Sequence, residues 1–142
     1  MIDDLYSAKL LALAANMPHA GRLESPQASA TRHAKLCGST VTVDVRLEDG
    51  RIADFAQDVR ACALGQAAAA VLGEAAVGAE PSEVEAARDA LRAMLKTGGA
   101  PPEGRFAALA ALAPVRDYPA RHASTPLAFE AAAAAAREAA QG

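Results

Sequence analysis

Two cysteines stand in 142 residues, Cys37 in KLCGST and Cys62 in RACALGQAAAA. Cys37 heads a Cys-Gly-Ser turn, and Cys62 stands at the mouth of an alanine-rich helical stretch. A helix N-terminus offers unpaired N–H groups and a partial positive charge, which suit an anionic sulfur, and Arg60 adds to that field. Thiolate is the form that metal ligation and sulfur transfer require. Gly38 beside Cys37 leaves room for another backbone or a ligand to come close. The plain alternative is that both cysteines are small apolar fillers of the core.

What must bring them together is the stretch between them. STVTVDVRL alternates, with Val41, Val43, Val45 and Leu47 on one side and Thr42, Asp44 and Arg46 on the other, the period of a half-buried strand. Asp49-Gly50 is a hairpin turn signal, and RIADFAQDV returns as the partner strand, its broken alternation predicting a bulge. The outer ends of a hairpin meet, so Cys37 and Cys62 are expected to be neighbours. SATRHAKL reads as a short edge strand.

The flanking segments are helical. Ile2, Leu5, Tyr6, Leu10 and Leu13 recur at helical spacing until Pro18, and residues 21–30 read as loop. Ala63 to Ala76 predicts a buried helix closed near Gly78. Ser82 and Glu85 read as a capping box opening a helix with Val84, Ala87, Leu91, Met94 and Leu95 on one face, stopped by Gly98-Gly99. Arg105 to Ala113 predicts a short helix ended by Pro114. Thr125-Pro126 predicts a cap and first-turn proline for a last helix reaching about Ala140. Strands grouped early and helices late give an α+β fold: a small antiparallel sheet of two to three strands, packed by an N-terminal helix and several C-terminal helices, in one domain over 1–142.

Composition narrows the function. The net charge is −3 and aromatic residues are 4%. That excludes the broad basic face of a nucleic-acid binder, leaving only a local patch around Arg116, Arg121 and His122. There is no basic signal-peptide start and no apolar run long enough to span a bilayer, so a soluble cytoplasmic protein with reduced thiols is expected.

The run LCGSTVTVDVRLEDGRIADFAQDVRACALGQAAAAVLGEAAVG resembles the core of the IscU/NifU/SufU iron–sulfur cluster assembly scaffolds, and the likeness extends to YPARHAS. The resemblance implies a domain that takes sulfide from a cysteine desulfurase, assembles a [2Fe–2S] cluster or holds zinc, and passes its cargo to acceptor apo-proteins. Cys37 and Cys62 match the first and second family cysteines. Ser39 stands where the family has Asp, Ser124 where it has a third cysteine, and Asp117-Tyr118-Pro119-Ala120-Arg121 where IscU proper carries its chaperone motif. In these features the chain sits nearer a SufU-like branch.

Serine is a poor ligand beside thiolate, so Cys37 and Cys62 are the expected sulfur ligands, with His122 as the third metal donor and His33 a more distant candidate. Against these stand an exposed His122 beside Arg121, a helix-capping Ser124, a turn hydroxyl at Ser39 and a loop residue at His19. Three functions follow. Two copies each donate Cys37 and Cys62 to a bridging cluster; or the chain docks a desulfurase or another assembly factor without building a cluster; or Cys62 is an enzyme nucleophile with His122 as its base. The first is the reading adopted: a non-catalytic scaffold or carrier.

Overall fold

The structure, a computed structural model, describes residues 8–35 and 38–141. Its order is α1 (Ala8–Ala15), β1 (Ala28–Ala34), β2 (Ser39–Glu48), β3 (Arg51–Arg60), α2 (Ala63–Ala75), α3 (Pro81–Thr97), 3-10 segments over Gly104–Asp117 and Pro119–Arg121, and α4 (Leu127–Gln141). The fold is α+β, as the strand and helix grouping predicts. Of the N-terminal pattern, Ile2, Leu5 and Tyr6 lie outside the described residues, while Leu10 is buried.

The three strands form one antiparallel sheet in the order β1-β2-β3. Val41, Val43 and Val45 are buried, and α4 lies across β1 and β2. Asp49 and Gly50 both take positive φ, 55° and 77°, the geometry of a two-residue hairpin turn that matches strand twist. The expected bulge is present: Arg46 pairs with Asp54 but Leu47 with Ile52, which leaves Ala53 as the extra residue of β3. Ala20 adds a parallel bridge to Gln57 on the other edge of β3, so the chain before the sheet blunts that edge.

Both alanine-rich helices are buried on nearly every side, α2 through Leu64, Ala67 to Ala70, Val71 and Leu72, and α4 through Leu127, Phe129 and its alanines. Small side chains let helices and sheet approach closely, and alanine gives up no side-chain entropy. α3 presents Val84, Ala87, Leu91, Met94 and Leu95, the expected face, and is tied to α4 by Arg92–Glu130 and Arg137–Glu85 ion pairs. Phe106 meets Phe129 edge to face at 5.3 Å. Among the described residues no helix is long and apolar enough to cross a membrane.

Three local expectations are corrected. The capping box is Glu80 with Glu83, not Ser82 with Glu85. Pro81, with its φ preset for a first helical residue, starts α3 earlier, and Glu85 is left to pair with Arg137. Pro114 does not end the segment after Gly104, which runs to Asp117 as 3-10 helix. Its buried residues, Phe106, Leu109, Leu112 and Val115, recur every third position, the period of a 3-10 turn rather than of an α-helix. Thr125 does not cap α4; its hydroxyl donates back to the Arg121 carbonyl at 2.8 Å.

Gly73 lies where α2 crosses the chain before the sheet. A Cβ there would stand 2.8 Å from the Pro18 carbonyl oxygen and 2.9 Å from Gln57 Nε2, which itself donates to the Ala69 carbonyl at 2.8 Å. Gly73→Ala should therefore destabilise by about 1–2 kcal/mol, overpacking outweighing the gain in helix propensity. Urea denaturation measures this, and an unchanged or raised midpoint would refute the packing argument.

Candidate functional site

Cys62 is the N-cap residue of α2, with φ −66° and ψ 171° and no side-chain cap hydrogen bond. Its carbonyl accepts the Gln66 N–H at 2.9 Å, and the Gln66 side chain reaches back to donate to the Ala61 carbonyl at 2.8 Å. The two-residue step from β3 into α2 is thus pinned from inside the helix. The sulfur is half-buried, packed on the core at the helix end where backbone N–H groups have no helical partner. Gln66 was not among the residues singled out from sequence; its one signal is a polar side chain in the first turn of an alanine helix.

Cys62 Sγ lies 4.0 Å from Ser124 Oγ. Ser124 is buried, and its hydroxyl also donates to the Arg121 carbonyl at 3.4 Å. Gly65 makes the approach possible. A Cβ at that position would stand 2.8 Å from the Ala61 Cβ and 3.3 Å from the Ser124 carbonyl oxygen. The small residue in the first turn of α2 therefore lets the segment before α4 close onto the cysteine-bearing end of the helix.

Cys37 lies outside the described residues. The residues that flank it are placed. Ala34 pairs with Ser39, and Gly38 donates its N–H to the Ala34 carbonyl at 2.9 Å. Thr40 pairs with Arg60, two residues before Cys62, so these flanks and the start of α2 share one end of the sheet. Gly38 has φ 73° and a Cβ there would meet nothing within 4 Å, so glycine serves the left-handed turn and not a close contact. Ser39 is buried.

The histidines sit elsewhere in the network. His122 Nε2 donates to the carbonyls of Val115 and Arg116 at 3.1 and 3.0 Å, closing the end of the 3-10 segment. With Nε2 so engaged, Nδ1 is the nitrogen through which this ring would reach a metal. His33, on exposed β1, pairs its Nδ1 with Thr40 Oγ1 at 2.9 Å. His19 is a loop residue, its ring edge-on to Phe55. Among the described residues, no three His, Cys, Asp or Glu side chains are grouped closely enough to hold a metal ion. The arrangement at Cys62 is that of a partly accessible thiol at a positive helix end, with a hydroxyl as nearest side-chain partner. It can bind a soft metal or carry a sulfur atom as part of a larger donor set, and a lone serine oxygen adds little to either.

Comparison with known proteins adds three findings. The family described as NifU-like N terminal domain matches residues 5–125, a span that includes Cys37, Cys62 and Ser124. A nitrogen-fixing NifU-like protein (N-terminal) from Brucella abortus is 51% identical, with a TM-score of 0.95 over 99% of this chain and 97% of that one. A candidate iron–sulfur cluster assembly scaffold protein for the SUF system of Fervidobacterium islandicum shares the fold at 20% identity, with a TM-score of 0.84 over 94% of this chain and 98% of that one. No functionally curated protein matches the chain.

Proposed function

Because the chain belongs to the family of NifU-like N-terminal domains, we propose that it is a scaffold or carrier in iron–sulfur cluster assembly, acting as one domain over 1–142. Cys37 and Cys62 are its sulfur ligands or persulfide acceptors. The cluster is cargo: sulfur arrives as the outer atom of a cysteine desulfurase's persulfide, whose own thiolate is the leaving group, and the product leaves for acceptor apo-proteins, in a cytoplasm that keeps both thiols reduced. No step asks the protein to act as a catalyst.

The observation that carries this reading is the half-buried thiol of Cys62, set at the head of α2 with Ser124 Oγ 4.0 Å away at the position of the family's third cysteine. A [2Fe–2S] cluster is ordinarily held by four thiolates, and one chain has two cysteines. Two copies, each donating Cys37 and Cys62, complete the set. Zinc or iron alone would take the same two sulfurs, with His122 as a further donor through Nδ1.

Anaerobic reconstitution with ferrous iron and sulfide tests it. The wild-type protein should develop visible thiolate-to-iron absorption at about one cluster per two chains, and Cys62→Ala should lose both features. Colourless, iron-free wild-type protein would overturn the proposal. The serine at the third position favours one other reading, a module that docks a desulfurase without building a cluster. Desulfurase capture that survives loss of both cysteines would select it.

A further inference from the structure

Beside the cysteine-bearing end of α2, the end of β1, the face of α3 and the start of α4 enclose a cleft of about 570 Å³. That volume is within the range of small-molecule sites. Its walls carry His33, Arg92, Lys96 and His122 against a single carboxylate, Glu130. A chain of net charge −3 thus places two of its three histidines and one of its three lysines around one cavity.

The charges are not cancelled there. Glu130 accepts from Arg92 Nε and Nη2 at 3.0 and 2.7 Å, which neutralises the carboxylate. Lys96 pairs with no described side chain, which leaves its Nζ at the rim for a ligand. His33 has Nδ1 on Thr40, and His122 has Nε2 on two carbonyls, so each ring has its other nitrogen left for a ligand. Between these groups Ala34, Pro126 and Leu127 supply apolar surface. Cationic and imidazole groups around an apolar floor fit a ligand with oxyanions on a short carbon body.

We propose that this cleft binds a small organic dianion, a dicarboxylate or a phosphomonoester, with Lys96 as its ion-pair partner and His33 as a hydrogen-bond donor through Nε2. Arg92 holds Glu130 through Nε and Nη2 and so keeps that carboxylate off the dianion. Ala123 lines the cleft and precedes Ser124, so the ligand sits one residue from the side chain that touches Cys62. The site does not depend on either thiol and shares only His122, on its wall, with the donor set of the proposed function.

Isothermal titration of metal-free protein at low ionic strength, with malate, with glycerol 3-phosphate and with sodium chloride at matched ionic strength, tests it. Saturable binding of either organic anion, absent with chloride, supports the site, and which of the two binds identifies the oxyanion. Lys96→Ala, on an exposed helix face, should weaken that binding about 10-fold, and Glu130→Gln should tighten it several-fold by removing the competing carboxylate. Cys62→Ala should leave it unchanged, which separates this result from failure of cluster assembly. His33→Gln is the second rim variant and should weaken binding without touching α3. No saturable binding of either anion, or equal affinity in wild type, Lys96→Ala and His33→Gln, would overturn the proposal.

Discussion

Asp44→Ala is expected to lower the stability of the protein by about 3 kcal/mol, the largest loss from any single change on the outer face of the sheet. Asp44 is fully buried in the middle of β2 although its position in the alternation points away from the valine face. Four hydrogen bonds hold it there. Arg22 donates from Nε at 2.6 Å and from Nη2 at 2.9 Å, the Leu23 amide at 3.0 Å, and the Ser29 hydroxyl at 2.6 Å. Arg22 is half exposed and regains water when the carboxylate goes. Ser29 is exposed and its hydroxyl also turns to water, so most of the cost is the loss of charge-assisted hydrogen bonds to the carboxylate and the Leu23 N–H left without its acceptor on a half-buried residue. In a chain of this size the change should lower the thermal midpoint by about 10 °C.

The same carboxylate predicts a pH dependence. Burial pushes the Asp44 carboxyl up, but the hydrogen bonds from Arg22, Ser29 and the Leu23 amide together outweigh it and hold the group below its ordinary value. A folded-state value below the unfolded one means that the ionised form favours the folded protein. The contribution is complete above the ordinary carboxylate value, about 4, and is lost as pH falls through the lower folded value. The stability gap between wild type and Asp44→Asn should therefore be wide near neutrality and narrow below about pH 4. Urea midpoints of the two proteins on both sides of that window decide it. A gap that stays constant with pH would show that the charge on Asp44 contributes nothing to folding.

Asp44 also shows where sequence reading stops. Val41, Val43 and Val45 announce β2 by their period, and Asp49-Gly50 announces its turn, because both signals lie within a few residues. What covers Asp44 comes from Arg22 and Leu23, more than twenty residues upstream, in a stretch whose proline and small polar residues read only as loop. The capping box at Glu80 was hidden for a related reason. Ser82 and Glu85 match the motif locally, and only the path of the chain after α2 shows that Pro81 already begins the helix. The 3-10 segment was legible in principle, since Phe106, Leu109, Leu112 and Val115 are spaced by three, but a short apolar run with alanine between its larger residues reads equally as an α-helix.

The site divides along the same line. Cys62 at the head of α2 follows from the change of period after Val59. The meeting of the Cys37 flanks with the end of β3 follows from hairpin geometry. The commitment of His122 Nε2 to two carbonyls does not, because it depends on the 3-10 segment reaching Arg116, past the proline that was expected to stop it. Gly65 likewise carries no sequence signal of its own role. In an alanine-rich helix it looks like one more small residue, yet it sets how near Ser124 comes to the sulfur.

That separation makes Ser124→Cys the most informative change at the site. Tetrahedral zinc holds each thiolate at about 2.3 Å, which sets sulfur–sulfur distances of about 3.8 Å. Cys62 Sγ and Ser124 Oγ stand 4.0 Å apart, so a sulfur placed on residue 124 falls close to chelating distance without movement of the backbone. Residue 124 is buried, so the larger atom carries a small packing cost, and the shift is confined by Gly65 on one side and the Arg121 carbonyl on the other. Under reducing conditions the variant should bind zinc at least tenfold more tightly than wild type in competition with a chromophoric chelator, since a thiolate replaces a neutral hydroxyl in the donor set. Reconstituted with iron and sulfide, it should also release its cluster to a chelator more slowly. The gain must vanish when Cys62→Ala is added, because it belongs to the pair. An unchanged zinc affinity, or a gain that persists without Cys62, would mean that residue 124 does not face the cargo. The naturally occurring serine would then be a packing residue, and not the substitution that leaves this scaffold with a looser hold on what it carries.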